Sequence, residues 1–161
     1  MKKKRYSNLI TTLSVAVINK QINHIATLIA SGDYKELIKI RKFISEYAEK
    51  SGLDLKKIDE LVLAVDEACS NLIHYSIEFD NKRTIRIDLE KTSDEFVVNI
   101  EDDGQPFNPN SVKSPDMKKY FKEYRRGGLG IHIIKNLTDE LIYIPGTKSK
   151  KRNLLKLSKK Y

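Results

Sequence analysis

Three short motifs in fixed order constrain this chain more than any other feature. They are Glu67-Ala-Cys-Ser-Asn71, then Asp102-Asp-Gly-Gln-Pro-Phe107, then Arg126-Gly-Gly-Leu-Gly130. In the first, an acid and an amide stand four residues apart within an apolar pattern of helical period, so both project from one helix face. The second sets carboxylates and a glycine at the end of a strand pattern. The third sets three glycines where a helix begins, and such a helix start offers free backbone N–H groups and a positive dipole end to phosphate. Each motif alone is common: Glu-x-x-x-Asn occurs on many solvated helix faces, and Gly-Gly-Leu-Gly by itself marks a turn. Their order and setting describe a nucleotide site.

Composition narrows the class without naming it. The 161 residues suffice for one ordinary domain. No run approaches the ~20 apolar residues that span a bilayer. Lys2 to Lys4 followed by Leu9 to Ile18 have the outline of a signal peptide, but no small-residue cleavage pattern follows, so an uncleaved, cytoplasmic start without membrane attachment is expected. Cys69 is the only cysteine; an internal disulfide is excluded, and its place on the helix suits a small buried residue. The net charge of +8 raises nucleic-acid binding as a reading. The basic residues gather at the two ends and between Lys118 and Arg126, however, with no helix-turn-helix, zinc-finger or RNP signature. Direct nucleic-acid contact is therefore not expected.

Along the chain, Thr12 to Ile18 is β-rich and is read as an extra strand within an N-terminal extension, residues 1–23. Ile25 to Ala30 predicts a strand closed by Ser31-Gly32. Asp33 has capping-box spacing to Glu36 and opens a helix from about Tyr34 to Lys50. Asp54 offers the N-cap of a longer helix whose buried face is Ile58, Leu61, Val62, Val65, Cys69, Leu72 and Ile73. After a polar turn at Asp80 to Lys82, Thr84 to Glu90 alternates with period two and pairs with Glu95 to Glu101 through Thr92 to Asp94. Gln105 to Arg126 is a long connection with little regular pattern. A third helix is expected from Leu129 to about Leu137, and Glu140 to Ile144 with Asn153 to Leu157 form a hairpin around Pro145-Gly146. The sum is an α+β fold, a two-layer α/β sandwich with one mixed, mainly antiparallel sheet and helices on one face.

The motif set resembles the GHKL (histidine kinase-like) ATPase superfamily, whose N-box, G1 box and G2 box these motifs match. Asp102 to Pro109, Arg125 to His132 and Leu137 to Leu141 resemble its anti-sigma factor, serine-protein kinase branch, and the likeness covers about residues 34 to 158. The resemblance implies the Bergerat ATP-binding fold over residues 24–161, with ATP or ADP and Mg²⁺ bound. It implies that Glu67 is the catalytic base, that Asn71 is a metal ligand, and that Asp102 accepts a hydrogen bond from the adenine amino group. Gly104 would let the backbone pass close to the base. Pro106 stands where the wider superfamily has a second glycine, a form found in the anti-sigma branch. Arg126, Gly127, Gly128, Leu129, Gly130 and Ile131 would line the phosphates, and residues 105–126 would be the ATP lid. His74 stands where related kinases place a lysine near phosphate, and reads equally as an exposed helix histidine. Arg125 and Arg126 would clamp the γ-phosphate, contact an acidic partner, or stand as solvated loop charges. Asn153 falls near a position that is threonine in many members.

What the resemblance implies for activity is a serine/threonine protein kinase that phosphorylates a small STAS-type anti-sigma factor antagonist, holds a sigma factor and forms a homodimer. The alternative is a non-catalytic ATP/ADP-binding module that regulates a protein partner through its lid. Glu67 favours the enzyme, because a pure binder needs Asn71 and Asp102 but no base.

Overall fold

The computed structural model describes residues 22–77, 83–112 and 129–161. The expected strand over residues 12–18, the turn at 80–82, and the part of the long connection from 113 through Arg125, Arg126, Gly127 and Gly128 lie outside the described residues.

The elements run β1 (Asn23–Ser31), α1 (Glu36–Lys50), α2 (Leu55–Ile77), β2 (Thr84–Lys91), β3 (Glu95–Asp102), a 3₁₀ turn (Pro109–Ser111), α3 (Gly130–Leu137), β4 (Glu140–Ile144) and β5 (Asn153–Lys160). The five strands form one sheet in the order β1-β2-β3-β5-β4. Every described pairing is antiparallel, so the antiparallel character anticipated for most of the sheet extends to all of these pairs.

Local chemistry starts and stops the elements. Asp54 caps α2 as its spacing predicts: Oδ1 accepts the Lys57 N–H at 3.0 Å, and Oδ2 pairs with Lys57 Nζ at 3.2 Å. Asp33 does not form the anticipated capping box. Its Oδ1 accepts the Lys35 N–H at 2.9 Å, one residue short of the Glu36 N–H that a capping box requires, while the Glu36 side chain pairs with Lys39 at 3.0 Å. The β2–β3 connection is closed by Thr92, whose Oγ1 accepts the N–H groups of Asp94 and Glu95 at 3.2 and 3.1 Å.

Register decides which residues form the core. Ile87 lies opposite Ile100, Leu89 opposite Val98, and Val98 opposite Leu157. Side chains of directly opposed residues share a sheet face, and these meet the apolar stripe of Ile58, Leu61, Val65, Cys69 and Ile73 on α2. Ile40 and Ile44 of α1 and Ile134 of α3 join the same cluster. Each fully buried aliphatic or aromatic side chain there contributes about 1.5–3 kcal/mol. The opposite face of β1 and β2 carries a polar cluster beside the exposed Ile29: Asp88 accepts from Thr27 and from Arg86 Nε at 2.6 Å, and His24 lies 3.6 Å away. The helices thus cover one face of the sheet. The packing places α2 between α1 and α3 and against β5.

Candidate functional site

The site is built from the second half of α2, the end of β3, the start of α3 and the start of β5. On α2, period 3.6 puts Glu67 and Asn71 on one face, with Asn71 Nδ2 directed at Glu67 Oε1 at 3.4 Å. The amide nitrogen thereby faces the acid, and Asn71 Oδ1 turns to the other side. His74, one turn further on, is exposed in the last part of the helix.

Gly130 meets that pair directly. A Cβ built on it would overlap Glu67 Oε1, lie 2.8 Å from Glu67 Cδ and lie 3.0 Å from Asn71 Nδ2. The contact is steric: the start of α3 runs against the acid–amide pair, and a side chain at this position would displace the Glu67 carboxylate. Leu129 occupies the N-cap position of α3 with no side-chain cap, and its carbonyl accepts the Ile133 N–H at 2.9 Å. The first-turn amides of this helix therefore have no capping side chain. Ile131 packs against the core and sets the roll of the helix.

At the end of β3, Asp102 is half-buried. Its Oδ1 accepts the Gly104 N–H at 2.7 Å, a tight local turn, and an N–H of Asn153 Nδ2 at 3.2 Å. A Cβ at Gly104 would lie 2.7 Å from Asp102 Oδ1 and 3.1 Å from Arg83 Nη1, so this glycine too is required by close approach. Burial raises the Asp102 carboxyl above its ordinary value and Asp103 adds to the rise, while Gly104, Asn153 and Arg83 work against it. Pro106 is exposed just beyond this turn. The neighbouring Phe107 N–H donates to Tyr143 Oη at 2.8 Å. Lys135 Nζ donates to the Val112 carbonyl at 3.0 Å, so the root of the long connection is tied to both β4 and α3.

The first motif, the second motif and the last two residues of the third (Leu129 and Gly130) are thus held in described structure. Arg126, Gly127 and Gly128 are not among the described residues. Cys69, between Glu67 and Asn71 on α2, is fully buried, and burial, with Asp66 and Asp102 adding, pushes its thiol up to about 12; it acts as packing, as its position suggested. Sequence reasoning missed Asn153, Tyr143 and Arg83 as parts of the site. The register that sets Asp102 opposite Asn153 was the one signal available for the first of these.

The oxygen that suits a hard divalent cation here is Asn71 Oδ1, which is turned away from Glu67, while Gly130 lies directly against the acid–amide pair. No cluster of three or more His, Cys, Asp or Glu side chains able to hold a metal occurs among the described residues, so such an ion would take its remaining ligands from a phosphate-bearing substrate and water. A cleft of about 280 Å³ does occur at the other end of α2, lined by Asp54, Lys56, Lys57, Glu60 and Asp139 with Lys159 and Lys160. There Lys159 is held by Glu60 at 2.6 Å, and its interspersed charges offset one another. No described helix is long and apolar enough to cross a membrane.

Comparison with known proteins identifies the family. The profile of the family described as "Histidine kinase-like ATPase domain" matches residues 30–159. Serine-protein kinase RsbW of Staphylococcus aureus (strain MSSA476) is 30% identical over 117 residues, covering 70% of this chain and 72% of that protein. Serine-protein kinase RsbW of Bacillus subtilis (strain 168) is 28% identical over 107 residues, 63% of this chain and 66% of that protein. The match therefore spans just under two thirds of the Bacillus relative. Among solved structures, the SiaB-SiaC complex from Pseudomonas aeruginosa contains a chain of the same fold, with a TM-score of 0.62 at 11% identity over 97% of this chain and 98% of that one.

Proposed function

This chain belongs to the histidine kinase-like ATPase family, in the branch of the RsbW serine-protein kinases, and from that premise we propose that it is an ATP-dependent protein kinase acting on a small regulatory protein. The observation that carries the proposal is the seating of Gly130 on Glu67 and Asn71. It brings a helix start suited to phosphate against an acid suited to take a proton and an amide suited to a metal.

In this reading residues 24–161 are the ATP-binding domain and 1–23 an extension of it. Asp102 accepts from the amino group of adenine, and Gly104 keeps the backbone clear of the base. The amides of Leu129, Gly130 and Ile131, with Gly127, Gly128 and Arg126 before them, hold the phosphates. His74 lies beside them on the exposed face of α2, and Pro106 begins the lid. Asn71 Oδ1 and the bound phosphates hold Mg²⁺, which when bound offsets the charge that develops on the transferring phosphoryl group. Glu67 accepts the proton of an attacking serine or threonine hydroxyl, and the packing of α2 against α3 keeps that carboxylate beside the phosphates.

The acceptor is a STAS-type anti-sigma factor antagonist, and phosphorylation separates it from the kinase, freeing the kinase to hold a sigma factor. The protein acts in the cytoplasm as a homodimer. The name of the RsbW relatives supports the transfer to serine, and the assembly of SiaB with SiaC supports a protein partner. The test is phosphoryl transfer from γ-labelled ATP to proteins of the cell's own extract, with wild type compared with Glu67→Ala. A labelled small protein with wild type and none with the variant is the expected result. Transfer that persists unchanged in Glu67→Ala refutes the kinase assignment. Nucleotide binding with no acceptor labelled leaves the non-catalytic switch in its place.

A further inference from the structure

The sheet face turned away from the helices is not uniformly open. Register sets His24 of β1, Glu90 of β2, Val97 of β3, Ser158 of β5 and Glu140 of β4 in one row across it. Their chain neighbours Phe96, Val98 and Leu157 belong to the core, and Lys159 reaches Glu60 of α2, so strand alternation turns Val97 and Ser158 the other way. Yet Val97 is 1% exposed without belonging to the core cluster, and Ser158 is 0% exposed. Glu95, two residues from Val97 and on the same face, is buried as well and accepts the Ser158 hydroxyl at 2.7 Å. Further along that face Ile29 and Ile144 stand exposed.

Burial confined to one end of the face calls for a covering segment there. The burial is that of one chain with no copy against it, and the three described helices pack on the opposite face. The cover is therefore a part of the chain outside the described elements. Residues 78–82 re-enter the sheet at Thr84, about 20 Å along β2 from Glu90, which is further than five residues reach. Residues 113–128 leave from Val112, which is tied to Lys135 of α3, and return at Leu129, the N-cap of that helix, so both of their ends lie in the helix layer. Residues 1–21 enter the sheet through Asn23, opposite Lys91 and one position from the buried row. From there Val97 is two strand spacings away, about 10 Å, and the link from Ile18 to Asn23 spans up to about 17 Å. Seven of the ten residues from Leu9 to Ile18 are apolar, as a cover for a valine requires.

We propose that residues 9–18 dock on the sheet face opposite the helices, over Val97 and Ser158, so that the N-terminal extension is the intramolecular partner of that surface. A further strand added to the free edge of β1 would sit about 14 Å from β3 and leave both residues uncovered. The polar groups of the surface permit an apolar cover: Ser158 and Glu95 satisfy each other, and no buried side-chain polar atom among the described residues lacks a partner. The surface lies across the sheet from Glu67 and Asn71, and the inference is independent of the nucleotide reading.

The experiment is the rate of thiol labelling in the full chain, mapped by mass spectrometry. Ser158→Cys and, separately, Val97→Cys report on the covered row, Ile29→Cys reports on the exposed part of the same face, and the buried Cys69 shows that the fold is intact while it stays unlabelled. Each is made with the wild-type extension and with Leu13, Val15, Val17 and Ile18 replaced together by serine. The milder pair Val15→Ser and Val17→Ser serves if the larger change unfolds the chain. With the wild-type extension, Ser158→Cys and Val97→Cys are expected to label at least about 100-fold more slowly than Ile29→Cys. With the serine extension they are expected to approach the Ile29→Cys rate while Cys69 stays protected. Fast labelling of both reporters beneath the wild-type extension overturns the inference, and so does slow labelling that the serine substitutions leave unchanged. Protection that disappears when the protein is diluted about 100-fold also overturns it, because the cover is then a second copy of the chain.

Discussion

Replacing Gly130 with alanine separates site geometry from stability. The new Cβ would lie 2.8 Å from Glu67 Cδ, 3.0 Å from Asn71 Nδ2 and closer still to Glu67 Oε1. Non-bonded heavy atoms prefer separations of about 3.5–4.0 Å, so the carboxylate must withdraw by roughly 1 Å or more. It is the far end of a flexible side chain, and swinging it away costs little. Alanine in place of glycine favours the helix by up to about 1 kcal/mol. The two effects leave the fold as stable as before or slightly more so, a rise of at most about 2–4 °C in melting temperature for a chain of this size. Catalysis is far more sensitive, since a misplacement of about 1 Å in a reacting group costs on the order of 100-fold. The assay is the single-turnover rate of phosphoryl transfer to the acceptor identified with wild type, with melting and ADP titration in parallel. A normal melt, retained ADP binding and a loss of about 100-fold in transfer are expected. Transfer at the wild-type rate would refute the claim that the contact of Gly130 with Glu67 sets the site.

Other consequences can be checked separately. Because burial raises the Asp102 carboxyl, the folded chain binds that proton more tightly than the unfolded one. Asp102 therefore opposes folding at neutral pH, and the penalty fades as pH falls through its raised folded value. Asp102→Asn is expected to remove this trend from stability measured against pH; an unchanged profile would contradict it. Asp88 runs the other way, since its hydrogen bond with Arg86, with Thr27 and His24 assisting, holds its carboxyl below the ordinary value. Its contribution is full above the unfolded value and is lost as pH falls through the folded one, a loss that Asp88→Asn should abolish in the same measurement. Phe96 is fully buried, and Phe96→Ala is expected to cost about 3–5 kcal/mol in denaturant unfolding. By contrast Arg41→Ala, which breaks the exposed 3.1 Å bridge to Asp66, should cost under about 1 kcal/mol. With its thiol buried and pushed up to about 12, Cys69 should react with a thiol reagent only after denaturation, and rapid native labelling would contradict its burial.

Much of this architecture can be read from the chain because the signals are local. Period two in Thr84 to Glu90, period 3.6 in Ile58 to Ile73 and the cap at Asp54 each depend on a few neighbouring residues, and each appears in the structure. Asp33 misleads for the same reason. Its spacing to Glu36 meets the rule, yet its carboxylate finds the nearer Lys35 N–H and Glu36 finds Lys39. The candidate site is legible where a motif carries it, as with Glu67, Asn71, Asp102 and Gly104. It is not legible where two distant strands supply the partner. Asn153 lies 51 residues from Asp102, and only the β3–β5 register joins them. On sequence alone Asn153 was merely a departure from threonine. Tyr143 and Arg83 escaped notice likewise, since neither lies in a motif and each reaches the site across the sheet.

The most direct test of the central claim is calorimetric binding of ATP and ADP, with and without Mg²⁺, to wild type and to Asp102→Asn. Saturable, Mg²⁺-dependent binding by wild type that is lost in the variant is the predicted result. A wild type that binds neither nucleotide would contradict the account and leave a histidine kinase-like fold that acts through protein contacts alone.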